Sequence, residues 1–576
     1  MIRIGKRVAV FASIALCLAL LSCGGMGNIM SPPAAGTTPD PSGAWSFAVM
    51  GDTQWTVADL DGKNPNTVAV DIVGQLTRQF VAKGVKFVIQ VGDLTDDGSL
   101  EGIDTRAVWT QGLYNAGIGF FPFRGNHEAT RAAAAEFLKV FPQTRSGAMN
   151  ATLDYEALST SVGFDASARP EARSGPVFTV GSNFTSPETP AGLAGLSYAF
   201  DYRNVRFVLL DQFTRTDGTG KTDAEVNDTN IADQHVWIAS TLAARPQGSH
   251  AFVFAHKGLI TENHVDSLFG ADPSINPERQ NAFVASLQGA GAGYFFCGHD
   301  HIHQRSVIVS PDGASAVRQV IAASDSSKFY IPKKPSNDAV YNKAGTRETS
   351  IAQELYKIGF YIVTVEGSRV TVDYYSADNT GAALSSDGKE YLIHATPALD
   401  FTWKETFGYD LNGKEFLVAP GGEYKVVRDA GPSATTVRVL SGVNGSNATD
   451  GSGRRVTKAV STGWRTAAGG VQSDILTIRG MAQSLGSGLT DTYTISMSYG
   501  ASGHDAPTAE GRFGIVARDK GGNWVNAVDR NYGGAKKFVA GPWTPACRLG
   551  SYGIDTKSGT AWAVINYNGD FAAGKF

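Results

Sequence analysis

Cysteine is scarce in this 576-residue chain, with four in all: Cys17, Cys23, Cys297 and Cys547. So few, so far apart, exclude a disulfide framework. If Cys17 and Cys23 belong to a leader, Cys297 and Cys547 remain as side-chain thiols, expected to be free and buried. Charge is also sparse: 18% of residues are charged, with 54 acidic against 50 basic. That balance gives no electrostatic case for nucleic-acid binding. The apolar run from Val8 to Leu21 is too short for a comfortable membrane span. There is no convincing internal repeat, and beyond about Pro420 there is no helical period.

What is abundant points to turns. The chain holds 67 glycines and 23 prolines, and 42% of it is hydrophobic, a globular composition rich in short strands. Its length predicts two or three domains. Arg3, Lys6 and Arg7 followed by the short apolar run read as a secretory leader. The run ends at Leu20-Leu21-Ser22-Cys23, followed by Gly24 and Gly25, which resembles a bacterial lipobox. Residues 1–22 are then a lipoprotein signal peptide, with Cys23 lipidated and the protein anchored through it in the cell envelope, periplasmic or outer-membrane associated. The plainer reading is a signal peptide with an incidental cysteine. Residues 23–43, rich in Pro, Gly, Ser and Thr, read as a flexible tether.

From Trp45 onward, strands alternate with helices. Trp45–Met50 is a strand ending at Gly51-Asp52. Val68, Ile72, Leu76 and Phe80 recur every four residues and predict a helix from Val68 to Lys83, closed by Gly84. Strands follow at Lys86–Val91, ending at Gly92-Asp93, and Ile118–Phe123, ending at Gly125-Asn126-His127-Glu128. A helix spans Arg131 to Phe141, stopped by Pro142. The polar stretch 142–199 reads as an insertion or cap. Further strands are Val205–Leu210, Ala251–Ala255 before His256, and Tyr294–Cys297 before Gly298-His299-Asp300-His301. A helix lies between them at Ile231–Ala244. Phe360 to Val372 reads as a hairpin turning at Gly367-Ser368. The alternation argues a layered α/β fold over 44–420, with active groups on loops at strand ends. From 425 to 576, short strands between Gly, Asn, Asp and Ser turns read as an all-β sandwich.

Five strand-end fragments carry the chemistry: Gly51-Asp52-Thr53-Gln54, Gly92-Asp93, Gly125-Asn126-His127-Glu128, His256, and Gly298-His299-Asp300-His301. Each taken alone is weak. Asp52 and Asp93 could cap turns, and a lone histidine such as His256 is more often structural. In this order, each after an apolar run, they supply the carboxylate and imidazole ligands of a two-metal site. The order resembles the calcineurin-like metallophosphoesterase family, which includes purple acid phosphatases and many phosphodiesterases. That resemblance implies two packed mixed β-sheets flanked by helices. It also implies two divalent or trivalent metal ions, Mn, Fe or Zn, with Asp93 as the bridge. Asp52, Gln54 and His301 would complete one site, and Asn126, His256 and His299 the other. The ions would activate a hydroxide for in-line attack on phosphorus. His127 would be the catalytic group beside them, protonating the leaving oxygen or steadying phosphoryl charge. Gln54 departs from the family pattern, which usually has histidine there. A carboxamide oxygen is a weaker, harder ligand, so one site is expected to be weakened or shifted toward Mn or Fe.

Arg124 could grip a substrate phosphate bidentately, with a structural ion pair as its alternative. His264 and His303 lie near enough in sequence for a supporting role. Asp96 and Asp97 read as a solvated turn, and Trp237 and Leu242 as core. Trp464, Trp524, Trp543 and Trp562 could offer a glycan-contact face on the β domain, against a default of core packing. The reading is therefore a hydrolase of small phosphorylated substrates, with phosphomonoesters favoured over diesters. The rival from another class is a non-catalytic cell-surface or polysaccharide-binding protein on the same scaffold.

Overall fold

The computed structural model describes residues 43–148, 178–219, 229–330 and 347–411, then shorter segments from 415 and a continuous stretch over 511–576. The expected signal peptide, Cys23, the tether up to 42 and residues 149–177 of the expected cap lie outside the described residues. Among the described residues, no helix is long and apolar enough to cross a membrane.

The apolar runs become strands buried on both faces. In Trp45–Met50, Phe47 and Val49 enter one core while Ala48 and Met50 enter another. Side chains of a strand leave on alternate faces, so a continuous apolar run can fill two cores at once. Phe252 and Phe254 part from Ala251, Val253 and Ala255 in the same way in His250–Ala255.

These strands form two mixed sheets. In the first, Trp45–Met50, Phe87–Gln90 and Gly119–Pro122 run parallel side by side. The hairpin Ile358–Glu366 and Arg369–Ala377, then Phe401–Asp410, add antiparallel on the other edge. In the second, Val205–Leu210, His250–Ala255 and Ala292–Cys297 run parallel. Phe47, Phe87 and Phe121 of the first sheet meet Phe200, Phe207 and Phe252 of the second. The Phe47 and Phe207 rings cross edge-to-face with centroids 5.0 Å apart. Helices Val70–Lys83, Leu100–Val108 and Arg131–Val140 cover the outer face of the first sheet. Helices His235–Ala243 and Pro277–Gly289 cover the second. The layering is helix, sheet, sheet, helix, as the sequence implies.

The Val70–Lys83 helix buries Ile72, Leu76 and Phe80 and ends at Gly84, whose φ of 65° is left-handed, a conformation glycine adopts freely. Trp237 and Leu242 are core. Cys297 is a free, buried thiol; Cys547 is free but only half-buried, a correction to the expected pair of buried thiols.

Among the described residues beyond 411 the regular structure is strands, apart from the short 3-10 helix Ala527–Arg530. Phe401–Asp410 pairs on its outer side with Glu415–Ala419, and the ladder continues through Thr435–Ser441, Thr492–Ser498 and Thr560–Ile565. The first sheet thereby reaches twelve strands. A five-stranded sheet packs on this extension, with Val437, Ile495 and Ala563 against Leu476, Ile515 and Phe571. Trp562 is buried here, whereas Trp524 and Trp543 are half-buried with Arg518 and Arg438 over their rings. Trp562 therefore belongs to the core rather than to a glycan-contact face. The side chain of Trp464 lies outside the described residues.

Candidate metal centre

The parallel strands of both sheets end at the same edge of the molecule. Asp52, Asp93 and Asn126 follow the strands of the first sheet, and His256 and His299 those of the second. Side chains from five separate loops therefore converge between the sheets, the usual place for a site in such folds.

Two groups of buried ligand-type side chains have their donor atoms within 4.8 Å of one another: Asp93 with His256 and His299, and Asp52 with Asp93 and His301. Asp93 belongs to both. His256 Nε2 lies 3.2 Å from Asp93 Oδ2 and 2.8 Å from Asn126 Oδ1. His301 Nε2 lies 3.1 Å from Asp52 Oδ2.

Each imidazole has one nitrogen engaged by an acceptor outside the cluster. His256 Nδ1 donates to the Val91 carbonyl at 2.9 Å, and His301 Nδ1 to the Lys328 carbonyl at 2.8 Å. His299 Nε2 faces Asp266, at 3.5 Å from Oδ1. Such outer partners fix ring orientation and tautomer, leaving the other nitrogen to a metal. Asp266 is itself held by Lys257 Nζ at 2.5 Å.

The backbone is bent to make this approach. Asp93, His299 and His301 have φ of 44°, 73° and 53°, the left-handed region that side-chain-bearing residues rarely adopt. Strain of this kind, of order 1–3 kcal/mol per residue, persists where surrounding contacts over-determine it, often at functional sites. Glycine is required beside it. A Cβ on Gly125 would collide with Asp93 Oδ1, and one on Gly298 with Asp52 Oδ1.

Burial alone would raise the Asp93 pKa, but the His256, His127 and His299 charges outweigh it and hold the carboxyl far below its ordinary range. His256 moves the other way: burial lowers it, yet Asp93 and Asp52 push it up to about 9. His299 is pushed down to about 3, by burial first and then by the neighbouring His264.

These residues fit a metal pair. Asp52 Oδ1 is buried with no hydrogen-bond partner, and so are both polar atoms of the Gln54 carboxamide. Leaving such atoms unsatisfied costs on the order of 1–3 kcal/mol each, and a bound cation would remove that cost at the oxygens. Gln54 is held in the wall of the site through its backbone, its carbonyl accepting from Ser327 N at 3.0 Å.

His127 stands beside the cluster, partly exposed. Its Nδ1 donates to the Asp96 carbonyl, and its Nε2 lies 3.9 Å from Asp93 Oδ2. The Asp96 turn thus has a task that its sequence did not announce. Glu128 braces the loops, accepting from Thr95 N and Gly125 N, each at 3.0 Å.

Arg124 corrects one expectation. It is wholly buried, paired with Asp211 at 2.7 Å, and bonded to Thr214 and the Glu128 carbonyl. Its guanidinium has no path to a substrate, so the structural ion pair is the right reading. His303 is likewise internal, between Tyr361 at 2.7 Å and Glu405 at 3.0 Å. His264 does border the centre, bonded to Asp300, with its ring centroid 4.0 Å from that of His299 and tilted by 31°. Asp266, Lys328 and Tyr330 went unnoticed in the sequence, because nothing local to them distinguishes a partner of a ligand from any loop residue.

A two-sheet α/β fold that presents a buried carboxylate and imidazole cluster at its strand ends defines a metal-dependent hydrolase. Residues 46–303 match the family model described as calcineurin-like phosphoesterase. Among solved structures, that of PhoD aligns at 10% identity over 69% of this chain and 73% of its own, with a TM-score of 0.39. A dimetal phosphatase from Danio rerio aligns at 15% identity over 57% of this chain and 96% of its own, with a TM-score of 0.33. A purple acid phosphatase from yellow lupin seeds aligns at 17% identity over 62% and 54%, with a TM-score of 0.34. Comparison with curated proteins gave no match.

Proposed function

We propose that this chain hydrolyses small phosphoesters at a dinuclear metal centre, with phosphomonoesters preferred. The observation that carries the reading is the sharing of Asp93 between two ligand groups. Asp52, Gln54, Asp93 and His301 would hold one ion, and Asp93, Asn126, His256 and His299 the other. The mixed nitrogen and oxygen set suits Mn, Fe or Zn. When bound, the ions would supply a hydroxide nucleophile near neutral pH and offset phosphoryl charge.

The chain's own residues do the rest. Asp93 ties the two groups together, and the outer partners of the histidines keep their free nitrogens aimed inward. His127, fixed through Nδ1, points Nε2 toward the site. From there it can give a proton to the leaving oxygen or donate to a phosphoryl oxygen.

The test is reconstitution with Mn, Zn or Fe, followed by rates on p-nitrophenyl phosphate and bis-p-nitrophenyl phosphate. Turnover that is faster on the monoester supports the proposal. Faster turnover of the diester would make the chain a phosphodiesterase. No turnover of either ester would favour the non-catalytic scaffold.

We infer further that residues 1–22 are removed and that Cys23 carries a lipid anchor in a bacterial envelope, on the strength of Leu20-Leu21-Ser22-Cys23. Cys23→Ser should abolish labelling by radioactive palmitate and move the protein to the soluble fraction; unchanged labelling would refute the anchor.

A further inference from the structure

We infer that Lys328 and Tyr330 form the substrate-facing rim of the metal centre and select dianionic phosphomonoesters by contacting their peripheral oxygens. This rests on the hydrolytic reading above. The strand Lys328–Tyr330 buries Phe329 completely in the helix-covered core of the first sheet. Alternation then places Lys328 and Tyr330 together on its opposite, half-buried face.

The strand is pinned to the site. The Lys328 carbonyl accepts from His301 Nδ1 at 2.8 Å, and from the Ser324 and Ser326 hydroxyls at 3.0 and 2.9 Å. The Tyr330 ring lies 5.0 Å from the His301 ring and 4.6 Å, edge-on, from His264. His264 in turn lies against the His299 ring, centroids 4.0 Å apart. One phenol therefore borders both ligand groups. Lys328 Nζ sits 4.9 Å from the Tyr330 ring centroid. Asp96, whose carbonyl holds His127, acts electrostatically on Lys328, and Asp93 acts on Tyr330. Tyr330 thus stands between His264 and His301, with Lys328 beside its ring.

Among the described residues, two other cations near the centre are committed elsewhere. Lys257 is fully buried against Asp266, and Arg124 against Asp211. Lys328 is part-exposed and accompanied by a phenol. A phosphomonoester at neutral pH is mostly a dianion, whereas a diester is a monoanion. An ammonium and a phenolic O–H at the rim give the additional charge a charge-assisted partner that a diester lacks.

The experiment compares wild type with Lys328→Met, Lys328→Arg and Tyr330→Phe, each metal-loaded. Three quantities are read: metal content, inorganic phosphate affinity by calorimetry, and the ratio of kcat/KM for p-nitrophenyl phosphate to that for bis-p-nitrophenyl phosphate. Lys328→Met should weaken phosphate binding and lower the ratio about tenfold, the effect of one charge-assisted hydrogen bond. Lys328→Arg should restore most of both, Tyr330→Phe should show a smaller loss, and metal content should not change. An unchanged phosphate affinity and ratio in Lys328→Met would overturn the inference, as would loss of metal in any of the three variants. Should the wild type hydrolyse neither ester, the hydrolytic reading fails instead, and the calorimetry alone then judges the rim.

Discussion

Asp93 is the residue on which both ligand groups depend, and its backbone is strained to serve them. Asp93→Asn should therefore lose metal from both groups, seen as loss of two equivalents in elemental analysis with an unchanged circular dichroism spectrum. Asp266 acts at one remove. Asp266→Asn should weaken the ion beside His299 roughly 10- to 100-fold, as expected for a partner that orients a ligand histidine; equal metal affinity would deny it that role. Gln54→His should tighten the ion beside His301, measured by competition with a chelator. His127→Ala should lower kcat by a factor of about 10²–10⁴ and leave metal content intact.

Of the clustered residues, Asp52, Asp93 and His299 were legible because each follows a glycine at the end of an apolar run, whereas His256, between Ala255 and Lys257, stood out only by its order among the other fragments. Their supporting residues were not. Asp266 comes from a loop and Lys328 from a strand of only three residues, too short to show a periodicity, and their roles exist only once two sheets have met.

Among elements, the strand His303–Val309 shows how two sheets are locked together. Its first four residues are polar yet buried, which hid it from any reading of alternating apolar positions. For His303 and Arg305 the partner lies across the core: Glu405, on Phe401–Asp410 of the other sheet, accepts from His303 at 3.0 Å and from Arg305 Nε and a terminal nitrogen at 2.7 and 2.9 Å. Burial raises the Glu405 pKa, but Arg305 and His303 outweigh it and hold the carboxyl at about 2. The contribution to stability is thus full above pH about 4.5, the ordinary glutamate value, and is lost as pH falls through about 2. Glu405→Ala should cost about 3–5 kcal/mol near neutral pH, because it strands a buried guanidinium. Its denaturant midpoint should also vary less than that of wild type between pH 5 and 2. The helix Leu100–Val108 escaped the sequence reading for the same reason. Asp104, Thr105 and Arg106 are buried within it, and Arg106 Nε donates to Gln90 Oε1 at 2.9 Å. By contrast, Val70–Lys83 was plain, because its buried side is apolar at the right spacing except for Gln75.

At the scale of the molecule, the change of style near residue 420 was readable, and so was the β-sandwich after it. The continuity of one sheet through both regions was not, since a sequence does not say which strand edges will meet. Trp403 sits in the C-terminal core although its strand belongs to the first sheet. A chain ending at Leu411 would bare that indole and leave Phe401–Asp410 as an unpaired edge, an invitation to aggregate. Such a truncation should self-associate in analytical ultracentrifugation, whereas the longer protein should melt in a single calorimetric transition; a well-behaved truncated monomer would show the two regions to be independent.

The direction of the Trp45–Met50 strand also gives the molecule a front and a back. It enters the described structure at residue 43 and delivers Asp52 at its far end, about 20 Å on at the usual rise of a strand. Every ligand-bearing loop opens on that far side. Residue 43, where the described chain begins, and the candidate metal centre therefore lie at opposite ends of this strand, so anything joined at residue 43 starts from the side away from the ligand-bearing loops.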